Sequence, residues 1–400
     1  MSSQVLLTPQ VITKESLVIL ENNLVAANRV NRKFENKFVK IGSQLTIRKP
    51  NRFTVASGAS LQVQDIAEPS VTITVDKQRH IDFQFTSQDL TLTVDEFSSR
   101  YLKPAMAALA NQVDFDVLGN WDGVSNYVGA PNVNPSTFSS SVQLIGQRMD
   151  DNASPQDSRC LILNPAAHWA IAGGLVGSFV MPTAKEALVK GYLSSIGNYD
   201  IYMDQNIQRG NTGQHNTSIA MVVTSAGNGT GNTTSMFGGT ATETIGVGEV
   251  FQVANVFNIN PQSRQSTGVL KNFVVTASSA PTSSTWTITF SPSIVTSGPY
   301  QNVSGPFQTA SSVTWVTGTT SAQIASAQNL AFTRDAFGLV MVPLEIPGGV
   351  DFAARETYRN ISMRTIRAYD INNDVFPTRI DILYGDATYY DELACRLGGV

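Results

Sequence analysis

The chain has 400 residues, 42% of them hydrophobic, and a formal net charge of −4. That length allows roughly two or three domains with full cores, and the mildly acidic balance excludes nucleic-acid binding driven by global charge. Only Cys160 and Cys395 are present, which excludes a disulfide framework or thiolate metal site and leaves two small buried hydrophobes.

The amino terminus shows no basic stretch leading into a long apolar run, so no signal peptide is expected. No segment reaches the ~18 apolar residues of a membrane span. The chain reads as a protein made and assembled in the cytoplasm, with no membrane partner.

Pro9 to about Asn31 predicts a helix, with Thr8 as cap and Pro9 at the first helical position, where its missing N–H costs nothing. Leu17, Leu20 and Leu24 form a narrow apolar stripe, expected to dock elsewhere, with another subunit as one candidate.

From Phe38 to Thr93 the period changes to two. Val71, Ile73 and Val75, then Ile81, Phe83 and Phe85, alternate with polar residues; Leu45, Ile47, Leu61 and Val63 do so in shorter runs. These are strands of hairpins with little core of their own. Overlapping them is the most polarised stretch: Arg29, Arg32, Lys33, Lys37, Lys40, Arg48, Lys49 and Arg52 face the single acid Glu35. Solvated strand residues and direct DNA contact are the alternatives to the favoured reading, intersubunit contact with acids of a neighbour. A basic groove with interleaved aromatics is absent.

Val94 to Trp121 predicts the strongest helix. Phe97, Tyr101, Leu109, Val113 and Val117 are its candidate core, recurring in four-residue steps with Ala105. Pro104 should kink the helix or mark its true start, and is a candidate hinge. Asp114 and Asp116 cannot face each other across two positions, so they read as solvated or interface charges rather than a catalytic pair. Further on, helices are expected at Val142–Met149, from Asn164-Pro165 through Ile171, and at Pro182–Leu193, with strands at Arg159–Leu163 and Tyr199–Met203.

Between Asn211 and Leu330 charge almost vanishes: only Glu243, Glu249, Arg264 and Lys271 remain. Charge-rich sequence on both sides makes this an inserted domain. Phe273 and Val275, then Ile288 and Phe290, alternate with small polar residues between turn signals, which predicts a β-barrel or sandwich. Trp286 and Trp315 argue against disorder. After it come apolar strand material from Leu330 to Pro347 and two paired strands, Ser362–Asp370 and Arg379–Tyr384. Asp370, Asn372, Asn373 and Asp374 lack the spacing of a cation loop and read as a turn.

Nothing in the chain looks catalytic. His80, His168 and His215 are far apart, no G-x-S-x-G elbow occurs, and the glycine-rich Gly227–Gly231 lacks the lysine of a phosphate cradle. No enzyme activity, metal or cofactor is expected.

Several segments resemble the major capsid proteins of tailed double-stranded DNA bacteriophages. ALANQVDFDVLGNW (Ala108–Trp121) resembles the end of their spine helix, and LILNPAAHWAIA (Leu161–Ala172) their strand, Asn-Pro turn and helix. LAFTRDAFGLVMVPLEIP (Leu330–Pro347) and SMRTIRAYDINNDVFPTRIDILYGDATYYDELACRL (Ser362–Leu397) resemble the closing strands. GEVFQVANVFNINPQSRQSTGVLKNFVVTA (Gly248–Ala277) is similar to the inserted β-barrel of the short-tailed-phage branch.

The resemblance implies an α+β fold of the Hong Kong ninety-seven type. Its parts would be an N-terminal arm (1–35), an extended loop (36–92), and a peripheral domain with the spine helix (93–134 and 350–400). An axial domain (135–210 and 331–349) would carry the inserted all-β barrel (211–330). It implies an icosahedral head enclosing double-stranded DNA, found in the virion and assembled in the host cytoplasm. The partners implied are the chain itself in hexamers and pentamers, a portal, and packaged DNA in weak non-specific contact. The loop strands begin by about residue 38, with no long scaffolding segment before them, so a separate scaffolding protein is expected. The alternative is an adhesin or fibre-type glycan-binding protein, which fails to explain the mixed α/β sequence flanking the insert.

Overall fold

The computed structural model describes residues 9–33, 44–55, 57–61, 63–64, 68–86, 98–137, 140–175, 193, 195–214, 221–224, 230–238, 244–278, 284–318, 323–350 and 352–400. Thr8, Lys37, Lys40, Phe97, His215, Glu243, the helix expected from Pro182 and the glycine-rich residues 227–229 lie outside them. The chain forms two compact units. Met1–Arg48, Ser70–Val117 and Phe337–Ala387 make the first; Lys49–Pro69, Leu118–Ala336 and Thr388–Val400 make the second.

In the first unit, helix α1 (Pro9–Asn23) starts at the proline, as its fixed φ favours. It ends earlier than its periodicity predicts, because Asn28 turns back and donates its Nδ2 to the carbonyls of Glu21 (3.0 Å) and Leu24 (2.8 Å). Leu17, Leu20 and Leu24 are buried. The helix packs on strands Phe352–Tyr358 and Ile361–Arg367 of the same chain. The thin stripe, expected to dock elsewhere with another subunit as one candidate, docks on its own chain and is widened by buried Thr13 and Ser16.

Those two strands belong to a five-stranded sheet built around the long strand Val375–Thr388. Strand Lys77–Thr86 pairs with it from Lys77↔Tyr384 to Thr86↔Val375. The turn into Val375 is closed by Asp370, which accepts from the Asn372 amide (3.0 Å) and Asn373 Nδ2 (2.7 Å). Strands Gln44–Arg48 and Ser70–Thr74 form a separate antiparallel pair, Gln44↔Thr74 through Arg48↔Ser70.

The expected spine helix is three segments. A π-helical turn, Ser98–Leu102, leads into α2 (Lys103–Leu118), and a 3-10 segment, Gly119–Gly123, follows. Pro104 is the second residue of α2; it cannot donate to the preceding turn, and the wider π turn accommodates that loss. Leu109, Val113 and Val117 are buried, but Tyr101 is 41% exposed. That corrects its reading as core: Tyr101 lies in the π turn, whose extra residue per turn rotates it off the stripe.

The second unit is organised by a seven-stranded sheet. In order across it lie Tyr127–Val128, Ala394–Gly399, Ala325–Thr333, Arg159–Leu163, Tyr199–Met203 and Ser195–Ile196, with Arg209–Asn211 paired to the start of Ala325–Thr333. Helices α3 (Val142–Asp151) and α4 (Pro165–Leu175) bury Val142, Ile145, Met149, Ala167 and Ile171 in its core. Cys160 and Cys395 are buried thiols, not joined in a disulfide, on strands flanking Ala325–Thr333.

The low-charge segment forms a six-stranded sheet that closes on itself. Its edge strands are Val222–Val223 and Val313–Trp315, and the bridge Val222↔Ser312, with the Val313 amide donating to the Met221 carbonyl (2.8 Å), joins them. Inside, Phe251, Phe273, Phe290, Phe307 and Trp315 pack mostly edge-on or tilted, with centroids 5.2 to 6.5 Å apart. The neck is a reciprocal pair: Thr212 N–H donates to the Ile324 carbonyl (3.0 Å) and Ile324 N–H to Thr212 Oγ1 (3.0 Å). The composition step at Leu330 thus overshoots the neck, because Ala325–Leu330 is uncharged for another reason: it is a buried strand of the seven-stranded sheet.

Two of the insert's few charges are structural. Glu249 is buried and accepts from the Gly213 and Gly246 amides, both at 2.7 Å. Lys271 is buried with its Nζ donating to Asn258 Oδ1 at 3.0 Å. From there an amide chain runs Asn258 to Asn152 (3.1 Å), Asn152 to Asn126 (3.1 Å) and Asn126 to the Ala394 carbonyl (2.9 Å). Buried amides that satisfy one another fix register, since any slip leaves several unpaired.

Candidate functional site

The basic stretch divides into three groups. Arg29 and Lys33 are exposed just past α1, while Arg32 donates to Asn28 Oδ1 (3.0 Å) and approaches the Arg359 carbonyl (3.5 Å). Arg48 ends the strand Gln44–Arg48 on its exposed face. Lys49 and Arg52 already have partners in their own chain. Arg52 pairs with Glu392 and lies over the Tyr300 ring (6.0 Å). Lys49 Nζ sits 4.6 Å from the centroid of Tyr390, and burial lowers its pKa against the pull of Asp391 and Glu392.

Beyond Arg52 the loop displays apolar side chains. Gln64 holds Thr54 by both backbone groups: the Thr54 amide donates to Oε1 (2.8 Å), and Nε2 donates to the Thr54 carbonyl. This side-chain amide replaces the strand pairing that the alternation at Leu61 and Val63 predicted, and no strand is described there. Around the clamp Phe53, Val55, Leu61 and Val63 are 64%, 101%, 89% and 82% exposed. Four large apolar groups on one short loop are more than a solvated tip needs, and such clusters mark interaction surfaces.

Asp114 and Asp116 are neither solvated nor surface charges; both are buried. Asp114 accepts from the Val25 (2.7 Å) and Ala27 (2.9 Å) amides, tying the turn after α1 to α2. Asp116 accepts from Arg79 Nε (3.1 Å) and Nη2 (2.8 Å), Tyr384 Oη (2.5 Å) and Gln112 (3.0 Å). Burial and that carboxylate push the Tyr384 hydroxyl well above its ordinary pKa, so it stays a donor. Spacing along the helix could not reveal these partners, which apart from Gln112 lie 37 to 268 residues away in sequence.

A second constellation was missed entirely. Trp121 donates its Nε1 to Gln208 Oε1 (3.3 Å). The edge of its ring lies against Gly210 and Gly248, where an added Cβ would come within 2.6 Å. Arg396, fully buried, lies 5.3 Å from the Trp121 ring and 5.6 Å from the Tyr127 ring, and donates to the Gly248 carbonyl (2.8 Å). Its Nε and Nη2 have no hydrogen-bond acceptor among the described residues, and the aromatic faces take the place of a counter-charge. Burial pulls its pKa down to about 10. Chemically the arrangement can grip but not react: the base of the barrel is held by an indole wedge and a guanidinium.

Among the described residues no group of three or more metal-ligating side chains occurs, and no helix is long and apolar enough to cross a membrane. His80 pairs with Asp82 (2.9 Å) and His168 is buried.

A family model described as P22 coat protein, gene protein 5, matches residues 1–396. No curated protein sequence matches. Among solved structures, one from Mycobacterium phage Che8 has a TM-score of 0.50 at 13% identity, over 94% of this chain and 90% of that one. The capsid of the cyanophage P-SCSP1u has a TM-score of 0.44 at 11% identity, over 93% and 85%. The mature capsid of bacteriophage PhiM1 has a TM-score of 0.42 at 10% identity, over 88% and 81%. The likeness to the Che8 structure is one of fold.

Proposed function

The chain belongs to the P22 coat protein family and is a major capsid protein of a phage head; from that premise we propose how it builds one. Copies associate as hexamers and pentamers into an icosahedral shell around double-stranded DNA. Assembly takes place in the host cytoplasm with a separate scaffolding protein and a portal, and no catalysis is involved. The N-terminal arm (1–35) and extended loop (36–92) join subunits; the peripheral (93–134, 350–400) and axial (135–210, 331–349) domains form the wall; and the barrel is a folding and size-control module. The π turn and Pro104 are the hinge that lets the shell expand.

The observation that carries the neighbour-binding reading is the cluster Phe53, Val55, Leu61 and Val63, held out by the Gln64 clamp. Individual contacts between subunits are weak, but a closed lattice sums them, since each additional contact is intramolecular once the first has formed. Arg29, Lys33 and Arg48 meet acids of the neighbour at the rim, where exposed pairs contribute at most about 1 kcal/mol each and mainly set orientation. DNA contact is weak, as the net charge of −4 favours.

Electron microscopy of the purified full-length chain tests this. Closed shells are expected. Fibres or trimers with saccharide affinity would favour the adhesin alternative, and dispersed particles under every salt and scaffold condition would refute self-assembly.

A further inference from the structure

Residues 49–55, at the base of the extended loop, form neither helix nor strand. No ladder fixes their course, so side-chain contacts must do so. Arg52 supplies them. Its guanidinium pairs with Glu392 and lies over the Tyr300 ring at 6.0 Å. Its amide donates to Tyr300 Oη (3.3 Å), which donates in turn to Asn51 Oδ1 (3.4 Å). Both partners sit on firm supports. Tyr300 ends the turn that leaves the barrel strand Thr285–Val295, and Asn302 pins that turn: it accepts from the Val295 amide (2.9 Å) and donates its Nδ2 to the Ser293 carbonyl (2.8 Å). Glu392 lies in the 3-10 turn Asp391–Leu393, which leads into the sheet strand Ala394–Gly399; the Tyr390 amide ties that turn to the Ala336 carbonyl (3.1 Å).

We propose that the junction of Arg52, Tyr300 and Glu392 is a latch: closed, it fixes the direction of the apolar tip, and opened, it frees the tip to swing about the loop base. The inference rests on the reading of the tip as the neighbour-binding element and deepens it, naming the device through which the barrel acts on shell geometry. The argument is one of reach. Phe53 directly follows Arg52, and consecutive Cα atoms are about 3.8 Å apart, so no slack separates the junction from the tip. The Gln64 clamp on Thr54 closes the tip into one body, which moves whole when its root moves. Tyr300 belongs to the barrel and Glu392 to the turn beside the seven-stranded sheet, so the ion pair and the phenol hydrogen bond persist together only while barrel and sheet keep one arrangement. A barrel that shifts on the sheet re-aims the tip, and small shifts of this kind are amplified where packed contacts have discrete arrangements. With side chains 34% and 28% exposed, the pair of Arg52 and Glu392 is also weak enough to open.

Hydrogen exchange in dissociated full-length subunits reads the latch, and electron microscopy of shells reads its consequence. Tyr300→Phe, which keeps the ring and removes the oxygen, is expected to speed exchange of the Arg52 amide about fivefold. Arg52→Glu, which sets two like charges against each other, should speed exchange across residues 49–55 about tenfold, the scale of one charged hydrogen bond lost. The strands Thr285–Val295 and Ala394–Gly399 should keep wild-type exchange, and the charge swap, Arg52→Glu with Glu392→Arg, should restore most of the protection. Unchanged exchange in Arg52→Glu, or no recovery in the swap, would overturn the latch. Faster exchange of the barrel and sheet strands would overturn it too, because the contact would then be holding the fold rather than the loop. In assembly, Arg52→Glu is expected to give shells of mixed diameter or none, and the swap shells of one diameter. Uniform wild-type shells from an Arg52→Glu chain with fast exchange at residues 49–55 would refute the coupling to the tip. Wild-type subunits that form no shells would strike the coat-protein reading, and the coupling with it, while the exchange measurement still decides the latch.

Discussion

Replacing Asp114 with alanine isolates one structural anchor. The carboxylate accepts from two amides, Val25 at 2.7 Å and Ala27 at 2.9 Å, that no helix or strand otherwise pairs. Leaving a buried donor unsatisfied costs about 1–3 kcal/mol. Val25 is half-buried and recovers part of its bond from water; Ala27 is completely buried and cannot. The sum is about 2–4 kcal/mol, concentrated at the turn after α1 rather than spread through the unit. Because 1.4 kcal/mol is tenfold in an equilibrium constant, local opening becomes roughly 30- to 1,000-fold more frequent. Hydrogen exchange of peptides spanning 24–28 measures this directly, with the strand Lys77–Thr86 as internal control. Asp114→Asn, which retains one acceptor oxygen, should lie between wild type and alanine. Unchanged exchange at Val25 and Ala27 in the alanine variant would refute the tether.

Four further outcomes are expected. Gly248→Ala combines a φ of +85° with a Cβ 2.6 Å from the Trp121 ring, so it should cost about 2–4 kcal/mol and lower Tm; a wild-type melting curve would count against the wedge. Asp204 is buried with no partner for Oδ2 among the described residues, and burial raises its pKa. The folded state therefore holds this proton more tightly, and the group's contribution to stability is full below the unfolded value near 3.9 and is lost as pH rises through the folded value. Asp204→Asn should accordingly raise Tm at neutral pH and flatten its pH dependence, whereas an unchanged profile would contradict that sign. Cys395 is buried with its thiol pushed up to about 12, and Cys160 is buried beside the Phe332 carbonyl. Neither should react with a thiol reagent at pH 8 until the chain is unfolded, when both should titrate; native reactivity would overturn their burial. Reversing Arg29 and Lys33 to glutamate should leave monomers folded and weaken shell formation in a salt-dependent way, read by light scattering, and normal assembly would remove these residues from the rim.

Much of the architecture was legible locally. The alternation at Val71–Val75 and Ile81–Phe85, the strand Arg159–Leu163, the Asn164-Pro165 helix start and the low-charge barrel all follow from spacing and turn chemistry, which depend on neighbouring residues. What misled was ambiguity in what alternation or emptiness means. Leu61 and Val63 alternate like a strand but gain no sheet partner among the described residues, and Ala325–Leu330 lacks charge because it is buried between strands rather than because it belongs to the barrel.

The amino-acid sequence by itself determined periodicity, caps, breaks and the composition step, and so the element types and the two-part character of the chain. Only the tertiary structure decided the partners: that Asp114 holds the turn after α1, that Asp116 gathers Arg79 and Tyr384, and that Arg396 reaches back to Trp121 and Gly248. The reason is physical. Local conformation is set by sterics and hydrogen bonds within a few residues, whereas the value of a buried charge depends on groups tens to hundreds of residues away that only the completed fold brings into contact.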